Sequence, residues 1–268
     1  MKTKLLFLVV AMFAPPATAA DFAFARDSDG TEQINVRGEI VAGDAERLSG
    51  LIKGAPVTFL EARNIDLSSP GGSISEALKL ARMVDRAALA ASATQNGSCA
   101  SSCVLIWVAA PIRGNLGKLL IHRPYLSEAT YHNSPLSDAS AAHRAGMQVV
   151  RRYLEERSFP ARLIDEMMQR SSVDAYELSI DDITEIGFLS PSFEEASIAN
   201  CGTSGKDALE RQVTPDQWTC ISGMRDVARF QLLTEMIGSE SARKAGRAFL
   251  MSKGGIEQPD GTIIVPKR

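Results

Sequence analysis

Between residues 34 and 122 the apolar positions alternate between strand spacing and helix spacing. Ile34, Val36 and Ile40 are separated by polar residues, the alternation of a strand. Ala45, Leu48, Leu51 and Ile52 share one face of a short helix, opened at Gly43-Asp44 and stopped at Gly54-Ala55-Pro56. The apolar segment from Val57 ends in Ile65-Asp66-Leu67, a buried strand. Ser68-Ser69-Pro70-Gly71-Gly72 is a turn. Ser73, with Glu76 three residues on, opens a helix as a capping box, and Ile74, Ala77, Leu78 and Ala81 form its apolar face. Leu89 to Thr94 reads as a further buried strand, followed by the turn Gln95-Asn96-Gly97. Val104 to Val108 is apolar all round, as a buried helix would be. After the loop from Pro111 to Gly117, Lys118 to His122 forms a short strand ending in histidine. Alternating strands and helices predict an α/β layered domain.

The flanks are less regular. Residues 21–33 are polar and predicted irregular, and 125–140 form a polar loop. Helices are expected over 138–157 and 160–170, then over a short stretch opened by Ser179 and ended by Gly187. Val227 to Ile237 and Ala242 to Met251 are helical in pattern, and Thr262 to Val265 is a terminal strand. At the other end Lys2 and Lys4 precede an apolar run from Leu5 to Ala14, and Ala17-Thr18-Ala19 supplies small residues for cleavage. This is the layout of a secretory signal peptide, too short in its apolar run to span a bilayer.

Composition narrows the classes. Without the leader lysines 27 basic side chains face 32 acidic ones, a net charge of −5, which does not suit a nucleic-acid surface. An exported chain meets an oxidising compartment, so its four cysteines can pair. Cys201 and Cys220 would close a surface loop, worth about 3 kcal/mol by chain entropy. Cys99 and Cys103, placed on one helix turn, stand near the upper distance limit for a bridge and read as a local disulfide or as buried thiols. No Cys-x-x-Cys and no cluster of histidines points to a metal.

The chemistry gathers at the junctions of the pattern. A serine hydroxyl attacks only when a base takes its proton, and the oxyanion it creates needs donors aimed at it. Ser101 stands where the buried helix begins, and free amides there favour negative charge, so the Ser102 amide is one candidate donor. Gly71 and Gly72 let the backbone approach a ligand with no Cβ in the way and can supply the second. His122 ends a strand, and strand ends in α/β sheets line the ligand crevice. A neutral imidazole there can accept the serine proton. Singly, these residues are a cap, a turn and a structural histidine; their order carries the hypothesis. Ser98 and Ser102 are rival nucleophiles. His132 and His143 read as solvent-facing, and Arg243, Lys244 and Arg247 as a solvated helix face.

Leu67-Ser68-Ser69-Pro70-Gly71-Gly72-Ser73, Cys99-Ala100-Ser101-Ser102-Cys103 and Ile121-His122-Arg123-Pro124 together resemble the Clp protease proteolytic subunit, most of all its exported Clp-like relatives, over about residues 34–190. The resemblance implies a crotonase-like α/β fold of stacked βαβ units with an added helical C-terminal region. It divides the chain into a signal peptide (1–20), the α/β domain (21–195) and a mainly helical extension (196–268). It implies a serine hydrolase, a peptidase first, with Ser101 as nucleophile, His122 as base, and Gly72, Ser102 or Gly71 as oxyanion donors. The family's triad aspartate falls at Ala175, so Asp174 orients His122 only after a shift of one residue. The spacing from Ser101 to His122 is a few residues short of the family's, a difference taken up in Pro111–Gly117. No cofactor or metal is implied. The expected partner is a peptide or protein substrate, with no nucleic acid and no membrane insertion after leader cleavage. Self-association fits the fold family; an ATP-driven unfoldase is not expected outside the cytoplasm. An acyl or ester hydrolase and a non-catalytic binding module on the same fold are the alternatives.

Overall fold

The computed structural model describes residues 19–125, 135–203 and 213–266. Most of the leader, His132 and the greater part of the 125–140 loop lie outside the described residues. Two short sheets meet at the centre. The first runs β1 (Asp21–Arg26), β2 (Glu32–Arg37), β3 (Asn64–Ser68), β4 (Ala90–Ala93) in spatial order. β2, β3 and β4 are parallel, with Ile34 beside Ile65, Val36 beside Leu67 and Ile65 beside Ala91. Ile65, Asp66 and Leu67 are all buried, as expected for a parallel strand covered on both faces.

Residues 21–33, expected to be irregular, instead contribute the edge strand β1, antiparallel to β2. Asp27 makes the turn: its carboxylate accepts from the amides of Asp29 and Thr31. Phe22 and Phe24 pack against the core.

Helices α1 (Asp44–Gly54) and α2 (Pro56–Glu61) link β2 to β3, and α3 (Ile74–Arg86) links β3 to β4. The α3 cap is half of what Ser73 and Glu76 predicted. The Glu76 amide donates to Ser73 Oγ at 3.4 Å, but the Glu76 carboxylate turns away to accept from the Ala45 amide at 2.8 Å. That amide bond, first among its causes, holds the Glu76 carboxyl below its ordinary value and ties α3 to α1.

The second sheet runs β5 (Ser98–Ala100), β6 (Lys118–Ile121), β7 (Tyr176–Glu177). β5 and β6 are parallel, joined by α4 (Ser102–Ala109), every residue of which is buried. Trp107 Nε1 donates to the Gly114 carbonyl at 2.7 Å, pinning the loop that returns to β6. The sheets join beyond the end of β3: the Ser69 amide donates to the Ser98 carbonyl and the Ala100 amide to the Ser69 carbonyl, both at 2.9 Å. This junction carries the Pro70-Gly71-Gly72 turn onto the end of β5.

Further helices pack outside: α5 (Leu136–Glu156), α6 (Ala161–Gln169), α7 (Ile180–Ile186) and α8 (Pro191–Cys201). α9 (Pro215–Ile237) and α10 (Ser239–Ser252) lie against α1 and α2, and Leu232, Leu233, Ala245 and Phe249 join the central core. A small pair, β8 (Ile256–Glu257) and β9 (Ile263–Ile264), follows. Arg225 and Arg229 on α9 are buried and donate to the carbonyls of Ala88 and Leu60. Burial pushes these guanidiniums down to about 9 and about 10. Among the described residues no helix is long and apolar enough to cross a membrane.

Candidate active site

Ser101 occupies the single residue between β5 and α4, with φ 57° and ψ −126°. A residue with a Cβ held at positive φ costs on the order of 1–3 kcal/mol, and such strain persists only where the surroundings over-determine it. Here they do. The Ser101 amide donates to the Leu120 carbonyl at 2.9 Å, and the Ser101 carbonyl accepts from the Val104 amide at 3.0 Å. The sharp strand-to-helix turn exposes Ser101 partly while Ser102 beside it is buried.

Gly71 packs directly on this turn. Its φ is +93°, and a Cβ there would lie 2.7 Å from both the Ala100 carbonyl oxygen and Ser101 Cβ. Gly72, at φ +139°, is pressed on its other side against Ile40, whose carbonyl oxygen would lie 2.1 Å from a Cβ. The amides then differ. The Gly71 N–H donates to Ser69 Oγ at 3.1 Å, whereas among the described residues neither the Gly72 nor the Ser102 N–H has an acceptor.

His122 follows β6 directly and is 6% exposed. Its Nδ1 lies 2.9 Å from the Arg123 carbonyl oxygen, and its ring stacks on Tyr125 at 5.6 Å between centroids. A carbonyl can only accept, so Nδ1 donates in this contact, and among the described residues Nε2 has no partner. Ser101, Ser102 and His122 line one narrow cleft of about 20 Å³, roofed by Ile74, Leu105, Pro124, Val150 and Met167. Ser102 Oγ is buried there without a partner, and Ser101 Oγ has none among the described residues.

The structure does not bring Asp174 to this cleft. Its exposed carboxylate accepts from Arg170 at 2.9 Å, within a 3-10 turn over Ser172–Asp174. Tyr176 pairs with Ile121, so continuing the antiparallel register sets Ala175, not Asp174, beside His122. Among the described residues the partner of the ring nitrogens is a main-chain oxygen, which side-chain patterns do not reveal. His143, expected to face solvent, is half-buried and bonds through Nε2 to the Pro124 carbonyl at 2.8 Å, pinning the segment after His122.

Both cysteine pairs are bonded, Cys99 to Cys103 and Cys201 to Cys220, and no described cysteine is free. Cys99 and Cys103 lie 5.3 Å apart at Cα, not near the limit expected of one helix turn, because Cys99 is in strand β5 and only Cys103 is helical. Ser98 lies in the sheet, on the far side of Cys99 from the turn. A wider groove of about 440 Å³ between α2, α9 and α10 is apolar and bordered by Arg243 and Arg247, with no serine, cysteine or histidine in its lining. The described residues include no cluster fit to hold a metal ion.

No protein-family model matches the chain, and no curated protein sequence matches it. Among solved structures it is similar to ClpP1 from Listeria monocytogenes, at 16% identity and a TM-score of 0.38 over 56% of this chain and 84% of that one. It is also similar to a point mutant of the 1510-N membrane-bound stomatin-specific protease, at 14% identity and a TM-score of 0.39 over 67% and 89% of the two chains. A second mutant of that protease, in complex with a substrate peptide, matches at 14% identity and a TM-score of 0.41 over 58% and 71%.

Proposed function

We propose that the chain is an exported serine hydrolase, acting first on peptide bonds, with Ser101 as nucleophile and His122 as base. The observation that carries this reading is the cleft itself: a strained, partly exposed serine at a strand-to-helix turn shares it with a histidine whose Nδ1 donates to a carbonyl and whose Nε2 has no partner among the described residues. Nε2 takes the Ser101 proton as Oγ attacks the acyl carbon. The amides of Gly72 and Ser102, which lack acceptors, receive the oxyanion. The imidazolium then protonates the leaving group, and water, activated by the same Nε2, releases the acyl group.

The Arg123 carbonyl takes the part that a carboxylate plays in a full triad. It fixes the tautomer but, being uncharged, stabilises the imidazolium less. The two disulfides suit the oxidising compartment that the leader predicts.

The test is labelling by a fluorophosphonate probe. Wild-type protein is expected to label at Ser101. Ser101→Ala abolishes labelling and hydrolysis while leaving the unfolding midpoint nearly unchanged; an undiminished rate in that variant defeats the reading. A second reading, a binding module that retains the cleft, draws on the fact that among the described residues no side-chain carboxylate bonds to His122, and is favoured if Ser101 proves inert. An ester panel set beside a peptide library separates the peptidase from an acyl hydrolase.

A further inference from the structure

Ser101 sits inside a covalent ring. Cys99 is the middle residue of β5 and Cys103 the second residue of α4, and their bond encloses only Ala100, Ser101 and Ser102. The ring therefore holds the proposed nucleophile and one of the two proposed oxyanion donors, the Ser102 amide. We infer that the Cys99–Cys103 bond is the positioning device for this turn, so that the site is competent only in the oxidised protein. The inference rests on the hydrolase reading above.

Three observations support it. The enclosed turn is strained, with a non-glycine residue at φ 57°, and relaxation to negative φ would swing Ser101 Oγ relative to His122. Its other restraints are hydrogen bonds and the packing of Gly71; the disulfide adds a covalent cross-link between strand and helix beside the main chain itself. Finally, a bond across so short a loop restricts the unfolded chain less than the Cys201–Cys220 bond, whose sequence separation is 19. Its placement acts on local geometry more than on global stability.

Forming the bond takes one electron and one proton from each thiol. A disulfide-bearing oxidant accepts them and is reduced to a dithiol while the Cys99–Cys103 bond forms. Both cysteines are fully buried, so an external thiol reaches the sulfurs only if the strand–helix junction opens. A chain that has not met an oxidant lacks the ring and is inactive; once oxidised and folded, it stays active.

The experiment compares the mature wild-type protein with a Cys99→Ala/Cys103→Ala variant and a Cys201→Ala/Cys220→Ala variant. Readouts are the fluorophosphonate labelling rate, kcat and KM on p-nitrophenyl acetate, and the unfolding midpoint. Loss of the first pair is expected to lower kcat and labelling on the order of 10²-fold with KM changed by less than about twofold. Loss of the second pair lowers the midpoint and leaves both rates at the wild-type value. Wild-type rates without the Cys99–Cys103 bond overturn the inference and leave the hydrolase reading standing. If oxidised wild-type protein fails to label at Ser101, the hydrolase reading itself falls and the positioning role with it. Should the first variant not fold, Cys99→Val/Cys103→Ala keeps the apolar volume, and its rates, taken with a cooperative melt, decide in the same way.

Discussion

On the nucleophile side of the cleft, Ser101 is held by strand and helix hydrogen bonds, a disulfide and a glycine packed against its Cβ. On the base side, His122 leans on one carbonyl and on the ring of Tyr125, itself 61% exposed. The first arrangement is built from main chain and tolerates no added atom. The second is built from single contacts and leaves a neighbouring position, Ala175, without a functional group. Changes on the nucleophile side should therefore be destructive, whereas the base side has room to improve.

The largest expected effect is that of Gly72→Ala. The new Cβ would stand 2.1 Å from the Ile40 carbonyl oxygen, and φ would remain +139°. The nearest atoms it would meet are all main-chain atoms of Ile40, so no flexible side chain can give way. Urea unfolding should show a loss of roughly 4 kcal/mol or more, or no soluble protein at all. A loss under about 1 kcal/mol would mean that the nucleophile side is as pliable as the base side.

The base side does have one rigid support, at a distance. Tyr176 pairs with Ile121 just before His122, and its hydroxyl donates to Asp182 at 3.0 Å. Burial works to raise the Asp182 carboxyl. Bonds from the Ser179 amide, Arg162, the Ser179 hydroxyl and Tyr176 outweigh it and hold the group at about 2, against an ordinary value of 3.8. Because the folded value is the lower one, the stabilisation is fully present above pH 4 and is lost as pH falls towards 2. Urea unfolding of wild type and Asp182→Asn across that range should differ by up to about 2 kcal/mol at the upper end and converge at the lower. A difference independent of pH would deny the carboxylate this role.

Ala175→Asp sharpens the comparison from the opposite direction. The register sets residue 175 beside His122, where a carboxylate could take Nδ1–H from the Arg123 carbonyl and stabilise the imidazolium. The expected outcome is about a tenfold rise in kcat on the same substrate, with little change in KM. A fall in rate would show that the carbonyl contact already positions the ring as well as this fold allows.

How much of this was legible in the sequence follows the same division. The Gly71-Gly72 turn, the buried helix α4 and the strand ending at His122 all stood out, because each is written in apolar spacing and breakers. β5 did not, because three residues are too few to show a period. Its absence made Cys99 to Cys103 look like one helix turn and hid the strand-to-helix junction that defines Ser101. The pattern shows α9 only from Val227, although Thr214 and Gln217 form a capping box at its true start, because its first half carries few apolar residues at helical spacing. The Arg123 carbonyl was beyond reach, since any residue type offers one. Asp174 stands one residue before the register position, in a 3-10 turn that directs its carboxylate to Arg170, and such a turn leaves no period in the sequence.

That offset yields the smallest prediction. Asp174 pairs with Arg170 at the surface, with side chains 68% and 36% exposed. Exposed pairs of this kind contribute about 0–1 kcal/mol, and Arg170 keeps Glu166 as a second partner. Asp174→Asn should leave kcat within about twofold of wild type and the unfolding free energy within about 1 kcal/mol. The Arg170 main chain lies close to the base, its carbonyl accepting the Arg123 amide at 3.0 Å, so the segment is near enough for a rearrangement to carry Asp174 to His122 during turnover. A large fall in kcat with unchanged stability would reveal that movement, and with it a base side that assembles only around substrate. An unchanged rate leaves the Arg123 carbonyl and the Tyr125 ring as the groups that orient His122 among the described residues, and the asymmetry between the two sides of the cleft stands.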